Sequence, residues 1–276
     1  MKKEILDNDF DINLHEERIY SQNGEDGIIR YIFSQIGTTN KFCVEFGVGN
    51  GFECNTIYLL EKNNWTGLMM DYGADQQIKW NKVAKKAWDN RKLGLSKNLK
   101  KYVTFTKKIT SRAKRSTNFH FDIKNERVTA ENIQNLFQKF NVPKNFDLLS
   151  IDIDFNDYWV WKSIVDYSPR VVVIEYNSSI SPTESRTVPY DPDAVWDGTN
   201  YFGASLLALY NLGKKKGYTL LGCDSNGVNA FFCKSELIAD KKIKDIQNLY
   251  MPPNYGQIVD GKHIGHTPSE KKMPKI

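Results

Sequence analysis

Residues 42–73, FCVEFGVGNGFECNTIYLLEKNNWTGLMMDYG, constrain the fold more than any other stretch of this 276-residue chain. They follow the order of a strand, a glycine turn, a helix, a second strand and the acid Asp71. The glycines of the turn are Gly47, Gly49 and Gly51. Without a Cβ the backbone can turn tightly and approach a ligand, and an acid at the second strand end can accept both ribose hydroxyls. This order predicts an α/β fold with a site for an adenine-containing cofactor.

The rest of the chain continues the alternation of helices and strands. Helices are predicted at residues 26–36, 53–62, 74–101, 129–140, 157–165 and 203–216, and strands at residues 42–46, 65–70, 102–109, 147–153 and 171–176. Segments 218–223 and 228–233 are joined only by DSNG, which is too short for a parallel crossover and predicts an antiparallel hairpin. A mostly parallel seven-stranded sheet that ends in such a hairpin, with helices on both faces, is the arrangement of class I methyltransferases.

Length and composition favour one domain. Hydrophobic residues make up 40% of the chain and charged residues 26%, a globular balance. We expect a single methyltransferase-like domain over residues 1–250, with an N-terminal helical cover at 1–40 and a basic insertion at 74–120. Residues 177–200 predict a long irregular loop, which in a compact domain is functional or disordered. Residues 251–276, rich in Pro, Lys and Gly, predict a loosely ordered tail.

Positive charge is concentrated in one segment. The net charge is +5, yet residues 79–115 contain fourteen Lys or Arg and a single acid, Asp89. This segment is therefore near +13 and the remainder sums to about −8. A solvated helical face explains such a segment, and so does attraction to a phosphorylated or polyanionic substrate, nucleic acid included.

The sequence contains no signal-peptide core and no apolar run near the roughly 18 residues of a membrane span. We therefore expect a soluble cytoplasmic protein without a membrane span. The cysteines form no CxxC pair, which predicts buried thiols rather than a zinc site or disulfides. They are Cys43, Cys54, Cys223 and Cys233. The residues leave the oligomeric state open.

The glycine spacing bears on the choice of cofactor. The turn has the pattern GxGxG without the third glycine of the dinucleotide pattern GxGxxG, and Glu53 would bring negative charge into the first turn of the next helix. Such a charge disfavours a pyrophosphate at the helix N-terminus. S-adenosylmethionine has no phosphate and carries a sulfonium cation, so an acidic site suits it better than NAD.

Five motifs carry a family resemblance. SQNGEDGII, VEFGVGNG, GLMMD, DLLSIDID and VVVIEYN resemble the FkbM-like branch of S-adenosylmethionine-dependent methyltransferases over residues 20–72 and 128–234. The resemblance implies O-methylation of a sugar, a glycan precursor or another small hydroxylated molecule. Phe155 stands where the family pattern leads us to expect glycine, and neither the basic segment nor the long loop matches that pattern.

Cofactor candidates lie mostly at the carboxyl ends of predicted strands, where open α/β sheets bind ligands. They are Ser21, Gln22, Glu45, Gly47, Gly49, Gly51, Asn55, Asp71 and Asp152. We assign the glycines to backbone contact and Asp71 to the ribose. The resemblance implies that Ser21 and Gln22 close over the methionine end, and Ser21 can equally cap the first helix.

Methyl transfer to a hydroxyl requires a base that removes the proton. Asp152 and Asp154 alternate along one strand and point the same way, and Asp157 follows one turn on. Neighbouring acids raise each other's pKa, which marks a general base or a bound cation. The catalytic candidates are Asp154 as the base, Asp152, Tyr158 and, in competition with Asp154, His120.

The same region offers oxygen ligands for Mg²⁺ or Ca²⁺. The metal candidates are Asp152, Asp154, Glu175 and Asn177, which can alternatively cap a helix or bond to the cofactor. The candidates for substrate binding are Asn156, Asp157, Glu175, Asn177, Trp196 and Tyr201. The two aromatic residues can pack in the core, wall a pocket or stack on a sugar ring.

Two other hypotheses stay open. One is a nucleic-acid methyltransferase that uses the basic segment, and the other is a non-catalytic cofactor-binding module, suggested by Phe155. Glu53 and the final hairpin disfavour a dehydrogenase that uses NAD.

Overall fold

The computed structural model describes residues 10–49, 51, 53–73 and 123–276. Its strands are β1 (Phe42–Phe46), β2 (Thr66–Asp71), β3 (Ile123–Asn125), β4 (Asn145–Ile151), β5 (Ser168–Glu175), β6 (Tyr218–Cys223), β7 (Asn229–Lys234), β8 (Ile258–Val259) and β9 (Lys262–His263). Within the described residues, seven strands form one sheet in the order β3-β2-β1-β4-β5-β7-β6. The pairs from β3 to β5 are parallel, and β7 is antiparallel to both β5 and β6.

The α-helices in the described ranges are α1 (Glu25–Ile36), α2 (Ile57–Lys62), α3 (Ile133–Lys139), α4 (Asp157–Ser163), α5 (Leu206–Lys215) and α6 (Ile246–Leu249). They cover both faces of the sheet, because neighbouring residues of the buried strands point to opposite sides. Val171 and Val173 of β5 pack in one cluster with α1 and α2. Val172 and Ile174 pack in the opposite cluster with α3, α4 and α5. The predicted architecture, a mostly parallel seven-stranded sheet with a C-terminal antiparallel hairpin and helices on both faces, is confirmed.

Several helices begin later than the sequence predicts. For α2 the first helical residue is Ile57 and not Glu53, so Glu53 lies outside the first turn. For α3 the helix begins at Ile133, because Thr129 closes a turn before it: the backbone N–H of Asn132 donates to Thr129 Oγ1 at 3.3 Å. The helix predicted at residues 129–140 therefore begins four residues later than predicted.

Some predictions fall outside the described residues. These are the basic insertion at 74–120 with its helix at 74–101 and strand at 102–109, and the competing base His120. On the side away from β1, β2 pairs with β3, Ile123–Asn125, which the sequence pattern does not indicate.

The tail at residues 251–276 is bonded to the long loop. The backbone N–H of Asn200 donates to Thr267 O at 2.9 Å, and that of Thr187 donates to Pro274 O at 3.3 Å. Met273 is buried. The expectation of a loosely ordered tail is therefore wrong, because backbone pairing and an apolar anchor fix a segment whose composition alone favours disorder.

The prediction of buried thiols is confirmed, since all four cysteines are buried and free. Among the described helices, none is long and apolar enough to cross a membrane.

Candidate functional site

The candidate site lies where β1 and β4 end side by side at the centre of the sheet. Gly47 follows β1 with a φ of +80°, and a Cβ at this position would lie 1.3 Å from the carbonyl oxygen of Asp152. Only glycine fits such an approach of one backbone to another. Gly47 therefore brings the two strand ends together, which is a role besides the predicted contact with a cofactor.

Asp71, at the end of β2, holds the glycine turn. Its Oδ2 accepts a hydrogen bond from the backbone N–H of Gly49 at 2.8 Å. Burial raises the pKa of Asp71, and the negative charge of Asp154 raises it further. The N–H of Gly51 donates to Val48 O at 2.8 Å. The sequence analysis predicts a ribose contact for Asp71 and misses its hydrogen bond to Gly49.

Glu45, within β1, binds the backbone just before the first residue of α2. Its carboxylate accepts the backbone N–H groups of Asn55 at 2.8 Å and Thr56 at 3.0 Å. It also accepts the Thr56 hydroxyl at 2.5 Å and the Ser150 hydroxyl at 3.3 Å. The Asn55 amide donates to Ser150 Oγ at 3.1 Å. Glu45 and Asn55, both predicted to bind cofactor, are therefore engaged in a buried network.

Ser21 lies at the start of α1 in a reciprocal arrangement with Asp26. The Ser21 hydroxyl and backbone N–H donate to Asp26 Oδ2 at 2.9 and 2.8 Å, and the Asp26 N–H donates to Ser21 Oγ at 3.1 Å. This is the capping alternative for Ser21. Gln22 is exposed beside it. The cofactor role of both residues stays a prediction.

Three carboxylates meet at the ends of β4 and β5. One oxygen from each of Asp152, Asp154 and Glu175 lies within 4.8 Å of the others. Asp157, at the start of α4, is fully buried, and its Oδ1 accepts the backbone N–H of Ile153 at 2.9 Å. The structure thus brings together the acids that the strand pattern predicts to converge.

Desolvation dominates the electrostatics of these acids. Burial raises the pKa of Asp152 well above its usual value, and the charges of Asp154 and Asp157 raise it further. Burial and then the Asp152 charge do the same to the pKa of Glu175. Burial raises the pKa of Asp157 to about 7. Desolvation also raises the pKa of Asp154. The cluster therefore favours protons or a bound cation.

Asp154 lies at the solvent-facing rim of the acids and has a φ of +64°. Few residues other than glycine adopt this left-handed backbone conformation, and those that do are concentrated at functional sites. Phe155, which replaces the expected glycine, follows it and packs near Tyr201 with ring centroids 6.0 Å apart. Tyr201 therefore lies near the residue that follows Asp154, and its place in a pocket wall stays a prediction.

Two predicted site residues instead fasten the long loop. The Asn177 amide donates to Asn200 O at 2.8 Å and Phe202 O at 3.0 Å, while its oxygen accepts the Ser179 N–H at 3.1 Å. Both ends of the buried Asn177 amide are thus engaged in holding the loop, and its predicted role as a ligand of a metal or substrate stays a prediction.

Asn156 likewise donates to Asp191 O at 2.7 Å, and so joins the start of α4 to the loop. Trp196 donates to Thr199 O at 2.7 Å and packs against His266, with ring centroids 4.5 Å apart. Trp196 thus lies against the tail, and its predicted contact with substrate stays a prediction. Tyr158 of α4 is half-buried, and burial raises its pKa.

Four buried polar groups beside these acids are missed by the sequence analysis. They are Glu25, Asp26, Asp224 and Asn229. Asn229 of β7 pairs in register with Glu175 of β5, and its amide donates to Glu25 at 2.8 Å. For Glu25 and Asp26 the motif SQNGEDG is the sequence signal that could have indicated burial. Acids that stand beside tight glycine turns at the start of an apolar helix are suited to capping that helix.

Comparisons with known proteins give little sequence similarity. No protein-family model and no curated protein matches the chain. The structure of magnesium protoporphyrin IX methyltransferase (ChlM) from Synechocystis PCC 6803 with bound SAH is similar over 75% of this chain and 80% of that one, with 8% identity and a TM-score of 0.38. A SAM-dependent methyltransferase from Aquifex aeolicus is similar over 74% of this chain and 87% of that one, with 10% identity and a TM-score of 0.32. Similarities this low assign neither a cofactor nor a substrate to this chain.

Proposed function

We propose that this protein is an S-adenosylmethionine-dependent methyltransferase of the FkbM-like type that O-methylates a sugar, a glycan precursor or another small hydroxylated molecule. The observation that carries the proposal is the position of Glu45. A dinucleotide-binding fold uses the backbone N–H groups at the helix N-terminus after β1 to hold a pyrophosphate. Here the buried Glu45 carboxylate already accepts the N–H groups of Asn55 and Thr56, the two residues that immediately precede the first helical residue, Ile57.

A pyrophosphate would therefore meet an anion where it needs donors. S-adenosylmethionine brings no phosphate, and its sulfonium and ammonium groups are attracted by the acids around the strand ends. In the proposed complex the second oxygen of Asp71 accepts the ribose hydroxyls, while Oδ2 keeps its bond to Gly49. The glycine turn packs along the cofactor.

Asp154 is the proposed general base. Its position at the rim and its raised pKa suit a group that takes a proton from an acceptor at neutral pH. The acceptor oxygen attacks the sulfonium methyl in line, the new C–O bond forms as the S–C bond breaks, and S-adenosylhomocysteine leaves. The hydroxyl proton passes to Asp154. Phe155 and Tyr201 wall the acceptor side.

Calorimetric titration with S-adenosylhomocysteine and with NAD tests the cofactor. We expect S-adenosylhomocysteine to bind and NAD not to bind. Binding of NAD alone would overturn the proposal, and so would binding of neither ligand.

Asp154→Asn tests the base. We expect it to keep its affinity for S-adenosylhomocysteine and to lose about 10²- to 10⁴-fold in methyl transfer from labelled S-adenosylmethionine to a panel of sugars. Asp240→Asn, which changes an exposed acid, serves as the charge-matched control. Equal turnover in the Asp154 variant and the control would remove Asp154 from the mechanism.

A further inference from the structure

The acids at the ends of β4 and β5 are arranged around a common centre. The oxygens of Asp152, Asp154 and Glu175 that approach most closely lie within 4.8 Å of one another. Opposite ligands of one ion are separated by about twice the metal–oxygen distance, which is about 4.2 Å for Mg²⁺ and about 5 Å for Ca²⁺. The 4.8 Å limit lies within the Ca²⁺ spacing and above the Mg²⁺ spacing, so the three oxygens are placed for a single larger ion and would have to move closer together for Mg²⁺.

Two oxygen atoms of this acidic group are buried without a hydrogen-bond partner among the described residues. They are Glu175 Oε2 and Asp157 Oδ2. The Asp157 side chain is 0% exposed, and its charge acts on both Asp152 and Glu175. An acceptor buried without a partner costs about 1–3 kcal/mol, so such atoms indicate a missing ligand.

No basic side chain in the described part of the chain neutralises the group. The ion pairs formed there involve none of Asp152, Asp154, Asp157 and Glu175. A buried charge without a partner of opposite sign strongly destabilises a protein. The buried carboxylates of this cluster therefore need a positive charge beside them.

We propose that Asp152, Asp154 and Glu175 bind one divalent cation of the hard, oxygen-preferring class to which Mg²⁺ and Ca²⁺ belong. Carboxylates are the preferred ligands of these ions. Asp157 lies behind the three ligands as a further negative charge, and water or the acceptor completes the coordination on the open side of Asp154.

The catalytic consequence of this ion rests on the proposed function. A cation at the rim would hold the acceptor hydroxyl and lower its pKa, so that the proton leaves more readily to the second oxygen of Asp154. It would also fix the position of the oxygen that attacks the methyl group.

Titration of the EDTA-treated protein with Mn²⁺, followed by the EPR signal of free Mn²⁺, tests the site directly. We expect a single tight site, competed by Mg²⁺ or Ca²⁺, with affinity reduced at least about tenfold in Asp154→Asn and in Glu175→Gln. Asp240→Asn should bind as the wild type does. Circular dichroism of each variant shows whether the fold is retained.

Calorimetry with S-adenosylhomocysteine on the same metal-free protein separates the two proposals. Weaker Mn²⁺ binding in both variants supports the cation site whether or not S-adenosylhomocysteine binds. If S-adenosylhomocysteine does not bind, only the proposal of methyl transfer is overturned. Absence of Mn²⁺ binding, or equal binding by wild type and both folded variants, overturns the cation site and leaves methyl transfer standing.

Discussion

Gly47 illustrates at the scale of a single residue how the site is assembled. Its φ of +80° and its approach to Asp152 O are separate demands. Replacing Gly47 with alanine would cost about 1–2 kcal/mol in left-handed backbone strain. The added methyl group would also clash with a backbone oxygen that cannot move unless β1 and β4 separate. Gly198 has a similar φ of +83°, yet nothing lies within 4 Å of its would-be Cβ.

We therefore predict that Gly47→Ala lowers the free energy of unfolding by several kcal/mol more than Gly198→Ala, which should lose about 1–2 kcal/mol from strain alone. Urea unfolding followed by circular dichroism measures both losses, and the soluble yield reports on a variant too unstable to titrate. Similar losses in the two variants would show that the contact with Asp152 is unimportant.

At the scale of helices and strands, the sequence predicts the order of elements well and their starts poorly. The apolar strands and the final hairpin follow from local patterns, because burial on both faces and a short connection are visible in the residues themselves. The segment just before α2 is held by Glu45, which accepts the backbone N–H group of Asn55 from ten residues earlier. The loop contacts of Asn156 and Asn177 depend on partners in an irregular segment, so no periodicity reveals them.

The hairpin of β6 and β7 offers a test at this scale. Asp224 in its turn accepts the backbone N–H groups of Asn226 at 3.0 Å, Val228 at 3.1 Å and Asn229. Burial raises its pKa to about 7, and the charge of Glu25 at the start of α1 adds to the effect. Because the folded state holds the proton more tightly than the unfolded state, Asp224 makes stability fall as pH rises from about 4 to about 7.

We predict that Asp224→Asn is less stable than the wild type near pH 5, because the amide has one acceptor oxygen for three N–H donors. This deficit should shrink by on the order of 3 kcal/mol toward pH 8, since the variant lacks the penalty of ionisation. Urea titrations at the two pH values measure it. Asp240→Asn, at an exposed acid, should show no such pH-dependent change, and a constant deficit for Asp224→Asn would contradict the assignment.

At the scale of the whole molecule, the long loop and the tail form one unit with the acidic site. Lys271 of the tail donates to Asp197 at 2.8 Å and lies 5.2 Å from the centre of the Tyr201 ring. Tyr201 in turn packs beside Phe155 at the rim. Residues about 70 apart in sequence therefore set the shape of the proposed acceptor pocket.

Deletion of residues 267–276 tests this dependence. It removes Thr267 O and Pro274 O, which accept the backbone N–H groups of Asn200 and Thr187. A backbone hydrogen bond contributes about 0.5–1.5 kcal/mol, so we predict roughly tenfold faster hydrogen exchange at these two amides, with β4 and β5 unchanged. Lys272→Ala, an exposed change within the same segment, should leave exchange as in the wild type. Unchanged exchange after the deletion would show that the loop holds its shape without the tail.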